Sequence, residues 1–186
     1  TLIRLRFFGG WDYTSDLVND KDFVKKAYAG GVPMGGDLPE KPKKVKAPTF
    51  AVWALKDPDS GNLDRVQIIK GWYENGYPQE KIYDLALSDG RIADPKTGKV
   101  PPVGNTVDVK NASYTNDIGD TQLSAVWTDP DFKPEHHAVY YVRVLEIPTP
   151  RWSTYDAKSL LHNPCYPCSV ISFRFGKSPA KTNSLC

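Results

Sequence analysis

Ala138-Val139-Tyr140-Tyr141-Val142-Arg143-Val144-Leu145-Glu146-Ile147 is the stretch that decides the fold. It is the longest run built mostly from β-branched, aromatic and aliphatic residues, which suit a pleated, half-buried surface. Upstream, residues 123–127 and 107–109 are shorter strand candidates. Residues 65–73 (RVQIIKGWY) and 81–87 (KIYDLAL) flank Asn75-Gly76. Asn-Gly between two apolar runs predicts a hairpin, because both residues tolerate the positive φ of a tight turn. Residues 49–56 (TFAVWALK) alternate between Pro48 and Pro58, and the opening Thr1-Leu2-Ile3-Arg4-Leu5-Arg6-Phe7-Phe8 alternates as well. One helix is expected within residues 20–31: an acidic cap, then Phe23, Val24, Ala27 and Tyr28 at helical spacing, then Gly30-Gly31. Strands joined by turns, with one or two short helices, predict a mainly β protein: an antiparallel sandwich or half-barrel. The polar residues 103–105 and 111–121 predict a long loop.

The bulk numbers fit that picture. The 186 residues suffice for one domain with a real core. Gly (14) and Pro (16) are abundant but dispersed, as many turns require. A net charge of +2 gives no electrostatic case for nucleic acid. The basic run Lys41-Pro42-Lys43-Lys44-Val45-Lys46 reads as a solvated loop, with an anion patch as the sharper alternative. No run of about 18 apolar residues is present, so no membrane-spanning helix is predicted. The chain opens inside a strand pattern without an initiator Met, which predicts that preceding sequence has been lost.

Composition breaks near residue 157. All 22 acidic residues lie at or before Asp156, whereas the last 30 residues hold four Lys/Arg and all three cysteines. The expected organisation is a single β-rich domain over 1–158 and an atypical basic tail over 159–186. Cys165-Tyr166-Pro167-Cys168 is a CxxC, but only His162 and Cys186 could complete a zinc site, at no standard spacing. The βαβ setting of a thioredoxin-type motif is absent.

Three places carry possible chemistry. In Asp57-Pro58-Asp59-Ser60-Gly61-Asn62-Leu63-Asp64, the oxygens of Asp57, Asp59, Asn62 and Asp64 could converge on a hard divalent cation, calcium before zinc. The segment departs from the EF-hand loop, with Gly61 at position five and Ile68 at position twelve. The same residues also make an ordinary polar turn between strands. Asp129, Asp131 and His136 could bind a ligand or metal, or could lead a turn into the strand that follows. His136 and His137 are adjacent, so on an extended chain they point to opposite sides. Trp11 and Asp12 after Gly9-Gly10, and Asp37 after Gly35-Gly36, offer ligand-binding groups where glycine allows close approach. Core packing and turn formation explain the same residues. No G-x-S-x-G elbow, phosphate loop or dinucleotide fingerprint is present.

Five segments in order carry a resemblance. They are residues 5–13 (LRFFGGWDY), 31–38 (GVPMGGDL), 63–72 (LDRVQIIKGW), 126–132 (VWTDPDF) and 140–152 (YYVRVLEIPTPRW). Together they resemble the C-terminal part of a bacterial family of proteins of unknown function, number 3604, over about residues 3–158. The resemblance implies a longer protein whose N-terminal part is similar to PHP-type metal-dependent hydrolases. None of the His and Asp clusters of such hydrolases matches a segment here, so no catalytic residue carries over. The family pattern is expected to end near Ser159, which marks the tail as out of frame or foreign.

Three functions follow as expectations. The chain is the β-rich C-terminal part of a metal-dependent hydrolase, packing on a missing catalytic domain or on a second copy of itself. Alternatively, it is a self-sufficient hydrolase of small esters or lactones that uses the Asp57–Asp64 cation. Or it is a non-enzymatic module that binds ligands on exposed aromatics.

Overall fold

A computed structural model describes residues 2–162. Cys165, Cys168 and Cys186, and with them most of the expected tail, lie outside the described residues. Among the described residues, seven strands form two antiparallel sheets. The first has the order β2-β1-β3-β6, from Gly31–Pro33, Arg4–Gly10, Thr49–Leu55 and Gln122–Thr128. The second has the order β5-β4-β7, from Tyr77–Leu87, Leu63–Glu74 and Ala138–Glu146. Two helices accompany them, α1 (Phe23–Gly30) and α2 (Trp152–His162), with a 3-10 turn at Ser15–Asn19. The architecture is the expected antiparallel sandwich, and it does not close into a barrel.

The inner faces meet through an apolar core. Phe7, Phe50, Val52, Ala54 and Leu123 from the first sheet pack against Leu63, Val66 and Ile68 from β4. An aromatic chain links the layers: Phe7 stacks on Phe50 at 5.6 Å, and Phe50 meets Tyr140 of β7 at 4.5 Å. Tyr83 of β5 meets Trp127 of β6 at 4.7 Å. Gly9 makes room for this chain, because a Cβ there would lie 3.2 Å from the Phe50 ring.

The first sheet is buried on its outer face too. Phe8 and Ala51 pack there with Leu17, Phe23 and Ala27 of the helical layer. Adjacent Phe7 and Phe8 therefore serve two different cores, as period-two alternation requires. The layer is fastened by Tyr13, which is buried and donates its hydroxyl to the Ala27 carbonyl at 2.6 Å. Close approach explains the glycines around it. A Cβ on Gly31 would fall 2.0 Å from the Gly9 carbonyl oxygen and 2.4 Å from the Tyr13 hydroxyl. The Gly pair that ends α1 thus starts β2 with extended backbone.

Among the described residues, the second sheet has no such cover. Its hairpin turns through Asn75 (φ 54°) and Gly76 (φ 81°), as the dipeptide predicts. On its outer face Ile69, paired to Ile82 and Tyr141, is closed over by its neighbours, whereas Ile82 is 44% exposed, Tyr141 50% and Val139 68%.

Tyr13→Phe is expected to lower unfolding free energy by about 1–3 kcal/mol, since it leaves the Ala27 carbonyl without its donor. Gly31→Ala is expected to cost more, because its new methyl meets backbone and not a yielding side chain. Urea denaturation of both variants checks the order.

Candidate functional site

The end of the sandwich where β3 begins and β6 finishes gathers most of the polar residues singled out by sequence. Asp129 follows β6 directly, and its backbone N–H donates to the Pro48 carbonyl at 3.1 Å. Its side chain is sealed from solvent and meets Lys70, itself 2% exposed, at 2.6 Å. Tyr140 donates its hydroxyl to the same carboxylate oxygen at 2.6 Å, and the Asp131 N–H donates to the other at 2.9 Å. Lys70 also donates to the Asp131 carbonyl at 2.9 Å and sits over the Trp72 and Tyr140 rings at 5.5 and 5.7 Å. A buried carboxylate with three donors and a buried ammonium with two oxygens and two ring faces are both satisfied.

A second, more exposed ring surrounds this pair. Asp131 pairs with Lys81 and accepts a hydrogen bond from the Tyr83 hydroxyl at 2.7 Å. The Lys81 ammonium, then the Tyr83 hydroxyl, hold the Asp131 carboxyl below its ordinary value. His136 stacks on Trp72 at 6.3 Å and lies 3.6 Å from Glu74. His137 instead lines a recess with Gly71 and Val139, so the two histidines take different neighbours. Trp11 meets Phe132 edge-on at 5.9 Å and donates its indole N–H to the Pro39 carbonyl at 3.0 Å. Asp37, in the Gly-rich turn after β2, lines a recess of about 330 Å³ with Phe50, Tyr140 and Val139. Asp12 is exposed and makes no ion pair or side-chain hydrogen bond among the described residues.

Sequence reasoning missed Lys70, Trp72, Tyr83 and Tyr140. Parity could have found Lys70: Val66 and Ile68 face the core, so position 70 faces it too. A lysine on the inner face of a strand demands a buried partner, and Asp129 is that partner.

The Asp57–Asp64 segment is arranged differently from an ion loop. Asp57 accepts the N–H of Asp59 at 3.0 Å and that of Leu2 at 2.6 Å, and these donors hold its carboxyl low. Asn62 is buried and donates its amide to the carbonyls of Asn116, Ile118 and Gly119 at 3.0, 3.0 and 3.2 Å. Asp64 pairs with Arg91 at 2.5 Å and with Arg65 at 3.0 Å. Three of the four side chains therefore fasten the chain to itself, and Asp59 stands exposed. Among the described residues, no three His, Cys, Asp or Glu side chains gather as a metal-holding group.

The chemistry this end offers is fixed donation. Burial first, then the hydrogen bond to Asp129, pushes the Tyr140 phenol well above its ordinary value. Burial and Asp131 do the same to Tyr83. Neither phenol is a base near neutrality. Tyr140 is a neutral donor locked onto a buried anion, with its ring on the wall of the recess.

Two outcomes follow. Asp129→Asn is expected to destabilise the chain by about 3–5 kcal/mol, because Lys70 loses its counter-charge in a sealed site. Asp131→Asn, at an exposed pair, is expected to change stability far less; chemical denaturation separates them. Tyr13, pushed up to about 12 by burial, joins Tyr83 and Tyr140 in resisting ionisation. A folded value above the unfolded one, about 10, means that their contribution is whole below that pH. It is lost as pH rises through the folded values. Phenolate absorbance near pH ~11 is therefore expected to be lower in the native chain than in urea, by at least the share of these three among ten tyrosines, with Tyr114, also raised by burial, adding to it.

The comparisons with known proteins bear on the whole chain. The model of the family described as "Protein of unknown function (DUF3604)" matches residues 1–169. The match continues past residue 158, where composition changes, and α2 also runs through that point. No curated protein and no solved structure matches. With the family pattern spanning nearly its full length, the chain belongs to the DUF3604 family.

Proposed function

We propose that this chain is the β-rich part of a PHP-like metal-dependent hydrolase and serves there as a non-catalytic module. The observation that carries the reading is how its ionisable groups are arranged. Asp64 ties β4 to the loop after β5 through Arg91, and Asp129 ties the first sheet to the second through Lys70 and Tyr140. Asp131 ties the same junction to β5 through Lys81 and Tyr83. These are fasteners between strands, each closed on a partner, and their donor sets do not fit a catalytic metal. The exposed apolar row Ile82, Tyr141 and Val139 on the second sheet gives the module a face for the rest of such a protein.

The test is metal analysis of the purified chain, with turnover of simple esters and lactones measured with and without chelator. The expected result is far less than one calcium or zinc per chain and no chelator-sensitive turnover. Stoichiometric metal, with turnover that chelation and Asp59→Ala both abolish, would place the hydrolysis in this chain and overturn the proposal.

A further inference from the structure

A third recess lies on the outer face of the first sheet. It begins where the helical layer stops. Phe8 and Ala51 lie under that layer, but two residues back along β1 the face is open. Arg6 and Arg4 share the Phe8 side of the strand by period two. Trp53 of β3 stands directly opposite Arg6, and Leu55 opposite Arg4. The wall comes from Val18 of the 3-10 turn and from Phe23 and Val24 at the start of α1. The recess holds about 590 Å³ and opens to solvent, a volume usual for small-molecule sites.

Its charges are unbalanced. Arg4 and Arg6 are exposed and make no ion pair or side-chain hydrogen bond among the described residues. The acidic residue on the lining, Asp20, is already closed on the Lys26 ammonium and on the Asp22 N–H at 2.8 Å. Two guanidinium groups therefore project from Cα atoms about 7 Å apart with no carboxylate between them. Their repulsion is relieved by any oxyanion set between them. Guanidinium forks match such groups with paired, charge-assisted hydrogen bonds. Beside them lie a half-buried indole and the apolar side chains of Val18, Phe23 and Val24, which accept a flat hydrocarbon body.

We propose that this recess binds a small organic anion, its oxyanion held by Arg4 and Arg6 and its flat apolar body laid on Trp53 against Phe23 and Val24. Both halves of the ligand are needed: the arginines alone would be a solvated basic edge, and the apolar wall alone a packing defect. A competing account gives the arginine stems a covering role over Trp53, and binding measurements separate the two.

The experiment is isothermal titration of the chain with 2-naphthoate, naphthalene-2-sulfonate and 2-naphthyl phosphate, against neutral 2-naphthalenemethanol. At least one anion is expected to saturate at one per chain, weaken with added salt, and bind about tenfold or more tighter than the alcohol. The double variant Arg4→Gln/Arg6→Gln, at exposed positions, is expected to keep its far-UV circular dichroism and lose at least about tenfold in affinity for that anion. Failure of all three anions to saturate would overturn the proposal. So would equal binding by the double variant, or by the neutral alcohol.

Discussion

Lys70 and Asp129 meet where neither can reach water, and the sandwich closes around that meeting. One comes from the central strand of the second sheet and the other from the end of β6 in the first. The hydrophobic driving force between sheets is non-directional and does not by itself name one partner for each residue. A buried charge pair does, because its attraction and its hydrogen bonds vanish together when the layers shift. Tyr140, from the edge strand of the second sheet, adds a third attachment to the same carboxylate. It also carries the ring on which Phe50 of the first sheet rests. Register, layer spacing and the shape of the neighbouring recess thus share one anchor.

The sheets differ in what they ask of the sequence. β3 lies between two cores and reads as a near-continuous apolar run, with Phe50, Val52 and Ala54 inward and Ala51 and Trp53 outward. In β7 exposure alternates, with Tyr140, Val142 and Val144 against the core and Val139, Tyr141 and Arg143 outward. β4 is the exception that explains itself. Its outward Gln67 is buried because Asp84 and Arg143 on either side bond to it, forming a polar row across three strands. β5 carries a bulge against this strand: Val66 pairs with Ala86 and Gln67 with Asp84, so Leu85 is the extra residue, and Leu85 and Ala86 both pack against the core.

Much of this was legible in the sequence, and the reasons divide by range. Strands β3, β4, β5, β6 and β7 follow from local alternation and turn chemistry, and α1 from helical spacing. β2 is three residues long and exists because glycines at 9, 10, 30 and 31 let two backbones and the Tyr13 ring crowd together. No local pattern marks a strand held by its neighbours' lack of side chains. Residues 107–109, expected to extend as a strand, make only a bridge from Asp108 to Ser113. α2 lacks a strong apolar stripe, so nothing periodic announces it. The site shows the same division. The aspartates at 129 and 131 and the histidine at 136 were visible as residue types, but their partners lie 59 and 50 positions away at Lys70 and Lys81. Only the sheet pairing reveals that Asp129 ties layers together, while Asp57 and Asn62 brace turns and loops.

The bare surfaces are placed so that they do not compete. Helices cover one end of the first sheet's outer face and leave Arg4, Arg6 and Trp53 at the other. The outer face of the second sheet, on the far side of the core, leaves Ile82, Tyr141 and Val139 uncovered. One surface is charged and concave, the other apolar and broad, so they suit different classes of partner. The whole thickness of the sandwich separates them, about 10 Å between sheets plus the side chains outside each. A protein domain seated on the second sheet therefore leaves the arginine recess open to solvent. The rigid core between them, pinned at Lys70 and Asp129, keeps the two at a fixed orientation.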